Sequence, residues 1–167
     1  MSLQLGLPLF LVSAVLQSTV LSQLRVFGGQ PDLIPVFVIV WAIFDQGSEG
    51  VVWAFFGGLF ADLLSGAPLG ISSLALMPVA FVISLTDAQL YRHNLLLMLL
   101  FAAGGALAYH ILYLLALRFI AGQPVVWSEA IWYVTLPSVL FDIVLTAPAL
   151  SILSRLHDRL HPRQVRL

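Results

Sequence analysis

The sequence predicts an all-α integral membrane protein, a compact bundle of six transmembrane helices, and three observations predict it. Hydrophobic residues make up 60% of the 167-residue chain and charged residues 9%, whereas soluble domains carry roughly half and a quarter. Mean hydropathy is +1.03. Six apolar runs are separated by short segments rich in Gly, Pro and charge, and about 20 apolar residues cross a hydrocarbon core of about 30 Å. The net charge of −1 says little, because the position of charges, not their sum, decides orientation in a membrane. The absence of cysteine excludes disulfides, thiolate catalysis and cysteine-ligated metals or clusters.

Taken in order, the first span covers residues 5–24. It lacks the basic start and small-residue cleavage site of a signal peptide and reads as a retained helix. The loop RVFGGQP leads to a second span, 32–45, which Asp32 can cap and in whose first turn Pro35 is tolerated. Its apolar run, Leu33–Phe44, gives only about 18 Å of helix, so that span is short. The turn QGSEG precedes span three, 50–65, and a Gly/Pro turn leads to span four, 69–86, where Pro78 predicts a kink. The polar segment DAQLYRHN is an aqueous loop with Asn94 as a cap for span five, 94–120. The centre of that span, AAGGALA, is almost without side-chain bulk and suits close helix contact. Span six, 130–153, follows an interfacial segment with Trp127, Trp132 and Tyr133 and carries Pro137, Asp142 and Pro148, so it should be bent. Residues 1–154 therefore form the transmembrane domain and 155–167 a basic tail. Arg155, Arg159, Arg163 and Arg166 mark that tail as cytoplasmic under the positive-inside rule. With six spans the N-terminus is cytoplasmic too. Arg92 then lies inside, and Arg25 and Arg118 lie outside.

The stretch GGLFADLLSGAPLG, residues 57–70, sets a carboxylate and a Gly/Pro turn inside an apolar region. An ionised Asp near mid-membrane costs roughly 2.5–3.5 kcal/mol, so Asp62 should face protein, a polar partner or water. Ala61 lies four residues after Gly57 and three after Gly58, so these small residues share a helix face and let a neighbouring helix approach. Gly66, Pro68 and Gly70 break the helix and turn the chain back.

Counting along the helices puts Asp62 and Arg118 toward the outer ends of spans three and five. Asp62 pairs there with Arg118 or with Arg25; in the plainer alternative Arg118 snorkels to headgroups and Asp62 reaches interfacial water. Asp142 falls near mid-membrane and must be neutral, paired or beside a wet cavity. His110, in the outer half of span five, is its candidate partner, and a structural hydrogen bond outweighs a transport or catalytic role. Tyr109, Tyr113 and Tyr133 can supply hydroxyls. His157 and His161 would share a helix face, but no third ligand is evident, so no metal and no cofactor is expected. The tail arginines are placed on anionic lipid, at about 1 kcal/mol each.

Residues 58–70, GLFADLLSGAPLG, resemble the signature stretch of the MreD family, the small multispan rod shape-determining proteins of bacteria. The Pro31-Asp32 dipeptide opening span two and the basic tail extend the resemblance over nearly the whole chain. Asp142 departs from it, standing where the family more often has Asn. The resemblance implies a non-enzymatic scaffold subunit of the elongation machinery in the inner membrane, supporting lateral peptidoglycan synthesis. It implies direct association with MreC and, through it, with MreB, RodA and the elongation penicillin-binding transpeptidase, with a homodimer of the MreC–MreD unit as a further form. It also implies a fold similar to the S subunits of energy-coupling-factor transporters.

Two other functions compete. A solute-binding S-type subunit of a transporter would build its site near Pro78, Pro137 and Asp142, since broken helices beside a polar cavity are typical of transport sites. An intramembrane aspartic peptidase would use Asp62 and Asp142 as a dyad sharing a proton. Their different depths count against that.

Overall fold

The computed structural model describes residues 3–19, 23, 28–44, 49–86 and 95–160, all helix and connecting turn, with no strand among them. In chain order the helices are α1 (Leu3–Thr19), α2 (Leu33–Phe44), α3 (Glu49–Ser65), α4 (Ile71–Ser84) and α5 (Leu95–Phe119). The last, α6, runs without a break through a short α-turn (Trp127–Glu129), a π-helical segment (Ala130–Thr135) and a long α-helix (Leu136–Leu160). Arg25, Arg92, Asn94, His161, Arg163 and Arg166 lie outside the described residues, as do the side chains of Arg155, His157 and Arg159.

Among the described residues, two helices, α5 and α6, contain stretches long and apolar enough to cross a membrane unaided, Leu96–Phe119 and Trp127–Ile152. The short second span is explained by its place. Ten of the twelve residues of α2, Ile34 to Ile43, are buried, and α2 packs against all five other helices. A helix apolar on every side belongs inside a core, and this one is surrounded by protein instead of lipid. Val38, Val40 and Ala54 are fully enclosed or nearly so.

Small residues set the close approaches. A Cβ at Gly58 would lie 2.4–2.7 Å from backbone atoms of Ser72 and Ser73, so α3 and α4 touch through bare backbone there. A Cβ at Gly105 would lie 3.0–3.3 Å from Ile83 and Ile39, which brings α5 onto α4 and α2. Gly104, one residue earlier, faces outward with nothing within 4 Å. It lines an apolar groove of about 460 Å³ between α4 and α5, with Pro78, Val82, Leu100 and Phe101.

Helix α5 ends where Gly122 takes φ 67° and the Gln123 N–H donates to the Leu117 carbonyl at 3.0 Å, a left-handed C-terminal cap. The helix that carries the expected span six, 130–153, begins at Trp127 and continues to Leu160, because no Gly or Pro interrupts residues 149–160. Pro137 acts on the turn before it. A proline offers no N–H and crowds the carbonyl four residues back, and the chain answers with the wider π-turn at Ala130–Thr135.

Candidate functional site

Asp62 lies in the last turn of α3 and is 1% exposed. Gly66 (φ 72°) and Gly70 (φ 91°) supply the left-handed conformations that reverse the chain, and α4 starts directly beneath the carboxylate. Asp62 Oδ2 accepts the N–H of Gly70 at 2.7 Å and that of Ser72 at 3.1 Å, with Oδ1 at 3.2 Å from the same Ser72 nitrogen. The first N–H groups of a helix have no partner within it, and its positive end favours an anion. Asp62 meets both needs. The Ser73 hydroxyl donates to the Phe55 carbonyl at 2.8 Å and ties the two helices a second time.

Of the two readings open for Asp62, pairing with an arginine or standing apart from Arg118, the described contacts fit the second. Arg118 is exposed, and the oxygens of Asp62 are taken by backbone N–H groups, so the structure does not bring the two together. Arg25 lies outside the described residues. Gly57, Gly58 and Ala61 are buried with Asp62 on the inner side of α3, while Gly66 is exposed and Pro68 and Gly70 are half-buried in the turn.

A second polar group joins four helices. His110 Nε2 on α5 lies 3.1 Å from Asp142 Oδ2 on α6, and both residues are buried. Asp142 Oδ1 accepts the backbone N–H of Asp32 at 3.0 Å. The Asp32 carboxylate accepts from Gln17 Nε2 of α1 at 2.9 Å, and Gln17 Oε1 accepts the N–H of Ile34 at 3.2 Å. The Ser138 hydroxyl accepts the Gln30 N–H at 3.1 Å. The side chain that caps α2 is therefore Gln17 from the preceding helix. Asp32, expected in that role, turns its carboxylate to Gln17 and offers only its backbone carbonyl to Val36, at 3.4 Å.

Gln17 and Asp32 are the members of this group that sequence reasoning missed. The signals were an amide inside an apolar run and an acidic residue between a proline and the most apolar helix. Beside the group is a polar cavity of about 250 Å³, lined by Gln17, Asp32, Tyr109, His110, Tyr113 and Thr135 among others. Asp142 stands behind His110 and off the cavity wall. The wall residues come from the end of α1, the start of α2, the end of α3, the start of α4, the second half of α5 and the start of α6. All sit at one end of the bundle. Asp62 and Asp142 hold separate sets of partners, so the arrangement is not that of two carboxyls sharing a proton.

The family model for rod shape-determining protein MreD matches residues 2–156, nearly the whole chain. The chain belongs to the MreD family. It is a family of membrane proteins that determine rod shape, in keeping with the two membrane-length helices. Neither a curated protein nor a solved structure matches the chain. Residues 57–70 form the Asp62-capped α3–α4 turn, and the Pro31-Asp32 dipeptide starts the link from α2 to α6.

Proposed function

We propose that this chain is a non-enzymatic scaffold subunit of the bacterial rod-shape complex, crossing the inner membrane six times with both termini inside, and that it binds MreC directly. MreB, RodA and the elongation transpeptidase would be reached through MreC, and lateral peptidoglycan synthesis would be the process served. The match to the MreD family over residues 2–156 carries this reading.

The geometry supports it in two ways. The buried carboxylates of Asp62 and Asp142 fasten helices by accepting backbone N–H groups, which suits a rigid body. The apolar groove between α4 and α5 offers a surface to a partner helix, since helices in lipid associate by close packing at small residues such as Gly104. On this topology the basic tail lies in the cytoplasm and the polar cavity opens toward the outer face.

One observation favours a solute-binding subunit instead, the polar cavity itself. Its volume of about 250 Å³ is below the roughly 300–1,000 Å³ of pockets that enclose drug-sized ligands, so the scaffold reading is preferred. The test is copurification with MreC in mild detergent of a Gly104→Phe variant, whose Cβ meets nothing within 4 Å and whose ring occupies the groove. Reduced recovery of MreC with an unchanged unfolding midpoint is expected. Unchanged recovery together with unchanged cell shape would remove the groove from the account, and failure of the parent protein to bind MreC at all would remove the scaffold.

A further inference from the structure

Among the described residues, the polar cavity has a charge balance that its own side chains do not close. Two carboxyl groups, Asp32 and Asp142, adjoin it with one imidazole, His110, and no arginine or lysine is on its described wall. A protonated His110 can neutralise Asp142, which it touches at 3.1 Å. The Asp32 carboxylate then has only uncharged hydrogen-bonding partners among the described residues, the Gln17 amide and Gln30. A carboxylate at such a place calls for a cation or a proton.

A separate observation points into the same space. Thr135 is 2% exposed and lines the cavity, yet its hydroxyl has no hydrogen-bond partner among the described residues. Thr146, in the same helix, shows the usual alternative, donating to the carbonyl four residues back at 2.7 Å. Thr135 sits at the end of the π-turn that Pro137 imposes and is part of the cavity wall.

The walls also select by shape. Tyr109 packs at 5.1 Å centroid distance on His110 and at 5.9 Å on Tyr113, so aromatic rings line the cavity beside Asp32, and a ring can attract a positively charged group to its face. A bare alkali ion would leave most of about 250 Å³ to water, at roughly 30 Å³ per molecule. We propose that the cavity binds a primary ammonium group on a small organic body, with Asp32 as its counter-ion, Thr135 as a hydrogen-bonding partner and the tyrosine rings as its apolar wall. The ammonium can belong to a free amine or to an aminophospholipid headgroup entering from the adjoining membrane surface. This site is independent of the scaffold reading.

The test is thermal unfolding of the full chain in detergent, followed by tryptophan fluorescence. It is run with n-butylammonium chloride, with a short-chain phosphatidylethanolamine, with its phosphatidylglycerol counterpart, and with potassium chloride at matched ionic strength. Butylammonium should raise the midpoint by about 3–6 °C at about ten times its dissociation constant, and potassium chloride and phosphatidylglycerol should not. If phosphatidylethanolamine acts at lower concentration than butylammonium, the source is lipid; the reverse order assigns a free amine. Asp32→Asn keeps an acceptor for Gln17 and should fold but lose the shift, and Thr135→Val, equal in size, should weaken it about 3- to 10-fold in concentration. Equal stabilisation by potassium chloride, no stabilisation by either amine, or a full shift in a folded Asp32→Asn protein would each overturn the proposal.

Discussion

The backbone N–H of Asp32 donates to the carboxylate of Asp142 at 3.0 Å across 110 residues of chain, and the other oxygen of that carboxylate meets His110. One buried side chain thus fixes the start of the central helix α2 to α6 and α6 to α5. Replacing Asp142 by Leu leaves two buried polar groups without their acceptor, at about 1–3 kcal/mol each. Asp142→Asn keeps an amide oxygen for Asp32 and an N–H that can face the imidazole. Unfolding midpoints in detergent should fall in the order parent, Asn, Leu; a Leu variant as stable as the parent would show that this link does not hold the helices.

The role of Asp62 can be separated from any ion pair by two substitutions. Asp62→Ala removes the acceptor for Gly70 and Ser72 and should cost about 1–2 kcal/mol, the scale of a lost helix cap. Arg118→Gln alters an exposed group and should change the midpoint little. The double variant should equal the sum of the two, because groups that do not interact behave additively. A coupling above about 0.5 kcal/mol would restore the ion pair.

Two glycines one helix apart make opposite predictions. A Cβ at Gly58 collides with the backbone of Ser72 and Ser73, which cannot swing aside as a side chain can, so Gly58→Ala should destabilise by about 1–3 kcal/mol. Gly104 has open space around it, and Ala improves helix propensity by about 1 kcal/mol. Gly104→Ala should therefore be neutral or stabilising. Gly58→Leu and Asp62→Leu should lower MreC recovery only in step with folded protein, measured by size-exclusion chromatography.

The residues differ in how much of this they disclosed. The burial of Asp62 and the small-residue face beside it follow from the cost of charge and bulk between apolar helices. The pairing of His110 with Asp142 follows from comparable depth on neighbouring spans. The partners of Asp62 did not show, because a backbone N–H carries no sequence signature and those of Gly70 and Ser72 reach it only through two left-handed glycines. The central position of α2 was equally hidden. Lipid and protein interior are both apolar, so LIPVFVIVWAIF reads the same in either. Gln17 was legible as an oddity but not as a cap, since its target lies in another helix.

The loop before α2 gives the last prediction. A Cβ at Gly29 would lie 2.7 Å from Pro137 Cβ, 2.8 Å from the Val134 carbonyl oxygen and 2.9 Å from the Ser138 nitrogen. Two of these are backbone atoms of α6 and the third belongs to a rigid ring, so the loop must lift away. The next residues are the ones that bond α6, Gln30 to Ser138 and Asp32 to Asp142. Gly29→Ala should thus act through the same link as Asp142→Leu, and the double variant should lose less stability than the sum of the single changes by about 1 kcal/mol or more. Strict additivity in the unfolding measurement would mean that the close approach of Gly29 and the Asp32–Asp142 bond stabilise the bundle independently, and that lifting the loop does not release the central helix.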